Sequence, residues 1–272
     1  FAAAQPFRHA VIDEFLQPES AEALLKQFPG FDTRYALNEI GAVGGKAVRT
    51  RVRELGPAYA ALDDYLQTPA FLDAVSRITG IPELLYDPDY EGGGTHENRP
   101  GQQLAPHIDF NYHPRTGWHR RLNLIIYLNP TWESDWGGNL QLHQDPWSDG
   151  AEVRDVLPLF NRCVVFETNE VSWHGFESIA LPAEHAALSR RSFAIYLYTR
   201  ERPPEEIAPP HATVYVLEGM PANLNAGEIL NADDHLRLRT RFTRLRSQLR
   251  FLYKRETDFT RQIEALKHAL AT

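Results

Sequence analysis

The stretch Gln103-Leu104-Ala105-Pro106-His107-Ile108-Asp109-Phe110 constrains this chain most, once it is set beside Val171-Ser172-Trp173-His174-Gly175. Read as a strand, it points successive side chains to opposite faces, so His107 and Asp109 share one face while Ile108 and Phe110 enter an apolar layer. The two polar residues then lie roughly 6–7 Å apart at Cα, close enough for an imidazole and a carboxylate to converge on one ion. A third ligand from another strand would complete one face of an octahedron and leave the opposite face open. A bare His-x-Asp is a weak signal in a chain with 11 histidines. Its weight comes from the strand-like runs downstream of Asp109.

Two later runs alternate in the manner of strands. In Arg121-Leu122-Asn123-Leu124-Ile125-Ile126-Tyr127-Leu128, the residues Leu122, Leu124, Ile126 and Leu128 share one face, and Asn123, Ile125 and Tyr127 the other. In Arg190-Arg191-Ser192-Phe193-Ala194-Ile195-Tyr196-Leu197-Tyr198, an apolar face of Phe193, Ile195 and Leu197 backs a polar one of Arg190, Ser192, Ala194 and Tyr196. A cationic strand end beside a hydroxyl suits the wall of a pocket for a small dicarboxylate, because a guanidinium grips a carboxylate with two parallel bonds. Parity assigns that role to Arg190 rather than Arg191, unless a bulge swaps them. For the distal histidine, His174 follows the apolar run 162–168 and precedes a glycine, which gives it a rigid platform. His185 lies in a polar, helix-favouring loop, and His143 at the end of Asn139-Leu140-Gln141-Leu142-His143 is the nearest competitor.

Together, His107-x-Asp109, Tyr127-Leu128-Asn129, Gly137-Gly138-x-Leu140, His174 and Arg190-x-Ser192 resemble the Fe(II)/2-oxoglutarate-dependent oxygenases of the prolyl 4-hydroxylase-like group, over about residues 80–200. The resemblance implies a mainly β chain with α-helices, built on a double-stranded β-helix (jelly-roll) core. It implies Fe(II) on His107, Asp109 and His174, with no catalytic residue beyond the metal centre. It implies 2-oxoglutarate held by Arg190, Ser192 and Tyr127, with Asn123 on the same face. Further implied are O₂, release of succinate and CO₂, and hydroxylation of a C–H bond in a small molecule or a peptidyl or amino-acid substrate. An intact Asp109 separates the chain from related halogenases, which lack that carboxylate, and leaves desaturation, epoxidation and ring closure open. Substrate contacts are expected from His96, His113 and Trp118. Two other readings stay open: a jelly-roll interaction protein that docks through its C-terminal helix, and a cupin-like metalloenzyme independent of 2-oxoglutarate, which would not need Arg190.

Around this centre the chain divides into an oxygenase domain over 1–202 with N-terminal helical cover, a Pro-rich connector over 203–230 and a long helix over 231–272. Helices are predicted from Pro18, Pro57 and Pro69, each with apolar residues at helical spacing. The triple glycine Gly92-Gly93-Gly94 is either a flexible loop or a close backbone approach beside the site. Trp118, Trp132, Trp136 and Trp147 fall in loops, as a substrate platform or as plugs for the sheet ends. In the last segment Leu238, Phe242, Leu245, Leu249, Leu252, Phe259, Ile263, Leu266 and Leu270 step by fours and threes, interrupted only at Glu256. That seam predicts either pairing with another copy or a break near Glu256. A net charge of −8 argues against nucleic-acid or anionic-membrane binding. The single cysteine, Cys163, sits in an apolar run and excludes an internal disulfide. With no apolar stretch long enough to span a bilayer and no secretory pattern at the start, a cytoplasmic setting is expected. The chain begins with Phe1 rather than Met and reads as trimmed.

Overall fold

The alternating runs are strands, and their apolar faces meet. A computed structural model describes residues 1–38, 41, 43–148, 150–216, 224, 227 and 229–271. Its strands are β1 (His9–Ile12), β2 (Ala47–Arg49), β3 (Leu85–Tyr86), β4 (Gly94–Asn98), β5 (Leu104–Ile108), β6 (His119–Tyr127), β7 (Leu140–His143), β8 (Val153–Val156), β9 (Cys163–Glu167), β10 (Trp173–Phe176), β11 (Arg190–Thr199) and β12 (Val214–Tyr215). They form two antiparallel sheets. The larger runs β1-β9-β6-β11-β4-β2, with β3 also on β11; the smaller runs β12-β5-β10-β7-β8.

The β6–β11 register sets Leu124 against Ile195 and Ile126 against Phe193. Helices α1 (Pro18–Lys26), α2 (Pro57–Leu66) and α3 (Pro69–Thr79) cover this apolar face. Each opens with proline in its first turn, where the missing N–H costs nothing. Helix α3 is closed at one end by the Thr68 hydroxyl, which accepts from the Phe71 amide, and at the other by Gly80 at φ 75°. Leu24, Tyr59, Leu62, Leu66, Phe71 and Val75 interlock with Leu122, Leu124, Ile126, Phe193, Ile195 and Leu197. A second core joins the other face of the large sheet to the small one: Tyr127, Val164 and Phe166 meet Leu140, Leu142 and Val156. The polar faces of β6 and β11 therefore look inward at the small sheet, which carries His107 and His174.

After β11 the chain is clamped to the large sheet by buried charge. Arg202 donates to the carbonyls of Arg120 and Thr168 and pairs with Glu206, which also takes Arg121. The connector expected over 203–230 is described only in part, since residues 217–223, 225, 226 and 228 lie outside the described residues. Its described portion adds a strand the sequence did not suggest, β12, on the free edge of β5. Contacts divide the chain into one unit of residues 1–35 and 45–217, and a second that joins residues 36–44 to the C-terminal stretch. The second unit carries helix α4 (Ala232–Ala271), 40 residues long and continuous through Glu256. The Asn231 side chain caps it by accepting from the Asp234 amide at 2.9 Å. No helix among the described residues is long and apolar enough to cross a membrane.

Candidate metal centre

Strands β5 and β10 are neighbours, and their register places His107 directly opposite His174. The imidazole centroids lie 4.3 Å apart, and Asp109, just past the end of β5, turns its carboxylate toward both. Nε2 of His107 is 3.7 Å from Asp109 Oδ1, and Nε2 of His174 is 3.5 Å from Oδ2. One donor atom from each of the three residues falls within 4.8 Å of the others.

The outer nitrogens fix the tautomers. Nδ1 of His107 donates to the Ala105 carbonyl and Nδ1 of His174 to the Ser172 carbonyl, both at 2.9 Å, so each Nε2 presents a lone pair to the centre. Burial pushes His107 down to about 3, with a further push from His174, and burial lowers His174 as well. Two neutral imidazoles thus face a carboxylate with no proton between them. Burial alone would raise Asp109, but the Arg120 guanidinium, then His174 and His107, reverse that and hold the carboxyl well below the usual range. Two nitrogen lone pairs and an anion at this spacing repel one another unless a cation lies between them, so the donor set fits a divalent metal of the imidazole-and-carboxylate-binding kind.

Behind Asp109 stands an assembly the sequence did not reveal. Arg120 is 1% exposed; its Nη2 lies 3.0 Å from Asp109 Oδ2, and its Nε and Nη2 both donate to Asn123 Oδ1. Asn123 Nδ2 completes the ring by donating to Asp109 Oδ2 at 2.7 Å. The guanidinium is sandwiched against Tyr196 at 3.4 Å and Phe110 at 4.5 Å. Asn123, expected beside a cosubstrate, is placed on the carboxylate of the metal cluster.

Across the interior, Arg190 and Arg191 part as parity predicts. Arg191 lies over the ring of Phe28 and pairs with Glu97. Arg190 is buried; its Nε donates to the Gly138 carbonyl at 2.6 Å and its Nη2 to the Tyr127 hydroxyl at 3.2 Å, with Phe176 beneath it at 4.3 Å. These partners are neutral, and no carboxylate among the described residues pairs with it. A buried guanidinium in that condition keeps a positive charge that no group among the described residues balances. Ser192 is in register with both Tyr127 and His96, so the three form a row on the same inner face. His96 is kept neutral by burial and then by Lys46, while its Nε2 meets the Gly92 carbonyl at 3.0 Å.

The remaining expected contacts fall elsewhere. Trp118 packs with Tyr196 and Tyr198. His113 belongs to a separate cluster with Asp87 and Asp89 that also has metal-like spacing. There the Arg115 and Thr116 amides donate to Nδ1 of His113, so Nε2 carries the proton and gives it to Asp87, while Arg115 neutralises Asp89. His143 sits beside Trp173, the residue before His174, and so faces away from the cluster; His185 stacks on Trp136. The triple glycine opens β4, and a Cβ on Gly94, at φ 90°, would run into the Arg49 carbonyl of β2. Trp132 and Trp136 are buried plugs.

Residues 93–198, the stretch that supplies His107, Asp109, His174, Arg120, Asn123, Tyr127, Arg190 and Ser192, match the model of the 2OG-Fe(II) oxygenase superfamily. Among curated proteins it is similar to the mouse (Mus musculus) prolyl 3-hydroxylase OGFOD1, 33% identical over 93 residues, which is 34% of this chain and 17% of that protein's length. Among solved structures it is similar to a prolyl 4-hydroxylase from Phytophthora capsici, at 20% identity and TM-score 0.48, covering 88% of this chain and 68% of that one. It is also similar to a prolyl hydroxylase from Trichoplax adhaerens, at 19% identity and TM-score 0.46, covering 70% and 83%.

Proposed function

We propose that the chain is a non-haem Fe(II)/2-oxoglutarate-dependent dioxygenase that hydroxylates a C–H bond of a peptidyl, amino-acid or small-molecule substrate. The observation that carries the reading is the convergence of two lone-pair-bearing imidazoles and one carboxylate opposite a buried, uncompensated arginine. In this reading His107, Asp109 and His174 hold iron, and the inward-facing sheets form a double-stranded β-helix around it. Arg190, with Tyr127 and Ser192, takes the far carboxylate of 2-oxoglutarate. Bound iron with 2-oxoglutarate and O₂ supplies the oxidising power, and succinate and CO₂ leave. The chain's own contribution is placement: Arg120 and Asn123 fix the Asp109 carboxylate, Ala105 and Ser172 fix the imidazoles, and the apolar cores on both sides exclude water. A peptidyl substrate draws support from the curated relative, itself named a prolyl 3-hydroxylase. The oxygenase unit spans 1–202, the connector 203–230, and the helix 231–272 pairs with a second copy along its exposed seam of Leu252, Phe259, Ile263 and Leu266.

The test is 2-oxoglutarate turnover to succinate by iron-loaded protein, with and without a panel of proline-containing peptides. Formation of succinate that depends on His174 and on Arg190 is the expected result. Turnover that survives Arg190→Met would instead favour metal chemistry without 2-oxoglutarate.

A further inference from the structure

Lys46 stands one residue before β2 and continues its register. Strand β2 pairs Ala47 with Glu97 and Val48 with His96, and the same register carried one residue beyond the paired strand would set Lys46 against Asn98. Asn98 is itself the register partner of Arg190. Residues aligned across adjacent strands project from the same face, which puts Lys46, Asn98 and Arg190 in one row on the inner face of the large sheet. Two strand spacings separate the backbones of Lys46 and Arg190 by about 10 Å, a gap that two long cationic side chains and a short dicarboxylate can fill. The near end of the row is pinned, since the buried Asn98 amide donates to the carbonyl of Gly45.

The electrostatics say which groups the side chain interacts with. Apart from burial, the strongest influence on the Lys46 ammonium is Asp109, followed by Arg120 and then Arg190. In turn it bears on His96, His107 and His174. The ammonium therefore acts on both the metal cluster and Arg190 across the same interior. Arg120 is already committed to Asp109, and Arg190 holds the far end of the row among neutral partners. A 2-oxo dicarboxylic acid bound between metal and Arg190 has one anionic group at each end, and the row supplies one cation for each.

We propose that Lys46 is a second anchor for the 2-oxo acid cosubstrate, its ammonium gripping the carboxylate at the metal end while Arg190 grips the far one. This rests on the oxygenase reading above and adds to it a residue outside the 93–198 stretch. Burial, assisted by Arg120 and Arg190 and opposed by Asp109, lowers Lys46 to about 8, so at neutral pH it is largely charged and ready to meet an anion.

Calorimetric titration of Zn(II)-loaded protein, which binds without turning over, separates the two anchors. The probes are 2-oxoglutarate and 2-oxobutyrate, which keeps the metal-end carboxylate and lacks the far one. Lys46→Met should weaken both acids by the same factor, about tenfold or more for loss of a charge-assisted bond. Arg190→Met should weaken 2-oxoglutarate alone, and Lys46→Arg should retain most of the affinity. Each variant is compared at an unchanged thermal melt; Met and Arg keep most of the length of the Lys46 side chain, so both forms should fold. If Lys46→Met binds 2-oxoglutarate as tightly as the parent, or loses 2-oxoglutarate while keeping 2-oxobutyrate, the assignment is overturned. If parent protein that retains Zn(II) binds neither acid, the cosubstrate reading itself falls, and a distinct result records it.

Discussion

Replacing Arg120 by Met keeps most of the side-chain volume and removes the charge that faces Asp109. The structure sets the size of the effect. The guanidinium is 1% exposed, lies 3.0 Å from Asp109 Oδ2 and satisfies Asn123 Oδ1 with two bonds. Removing one partner of a buried ion pair costs about 3–5 kcal/mol, because the other charge stays behind uncompensated. A divalent cation on the cluster would supply that compensation from the opposite side. Urea unfolding of Arg120→Met should therefore show a loss of about 3–5 kcal/mol without metal and a clearly smaller loss with saturating Zn(II). Asp109 is held below its ordinary range, so the stability it contributes is present above about pH 4 and is lost as pH falls through its folded value. In the variant the folded carboxyl moves back toward its unfolded value, so this acid-side loss should shrink. Equal losses in the metal-free and metal-bound forms, or a loss under about 1 kcal/mol, would refute the view that Arg120 exists to balance Asp109.

Other expectations rest on the same contacts. His96, His107 and His174 are buried neutral, whereas the unfolded chain protonates histidine near pH 6.5; metal-free stability should fall as pH drops below that value, by about 1.4 kcal/mol per pH unit for each such imidazole. His96→Gln should flatten that slope by one proton, and an unchanged slope in denaturant titrations across pH 4–7 would count against it. Gly94→Ala combines a left-handed backbone with a clash against β2, so it should cost about 2–4 kcal/mol in thermal melts and, by displacing Lys46, weaken 2-oxoglutarate binding more than its fold loss explains. Phe259→Asp with Leu266→Asp should convert a dimer to a monomer in sedimentation while leaving succinate formation per chain unchanged; a parent protein that sediments as a monomer would remove the pairing proposal.

Local periodicity carried much of this structure. The helices at Pro18, Pro57 and Pro69, the apolar faces of β6 and β11 and the parity that separates Arg190 from Arg191 all follow from side-chain alternation within one element. What stayed illegible depends on partners far away in the chain. Lys46 precedes a three-residue strand too short to show a period, and its placement comes from pairing with β4 some fifty residues on. Arg120 sits next to Arg121 at a strand start, where nothing local says which of the two turns inward. The two-residue β12 lies in a Pro-rich stretch that reads as linker and gains its strand character only from the edge of β5. The place of its loop after Asp109 predicts His113 at the substrate; its contact with Asp87, twenty-six residues earlier, cannot be read from that loop.

The most direct test of the central claim is anaerobic titration of Fe(II) and then 2-oxoglutarate into metal-free protein, followed in the visible range. If His107, Asp109 and His174 hold iron beside an anchored 2-oxo acid, a weak metal-to-ligand charge-transfer band grows in with one equivalent of each and is absent in His174→Ala. If folded protein shown to contain iron gives no band with 2-oxoglutarate, the three residues do not form the proposed centre.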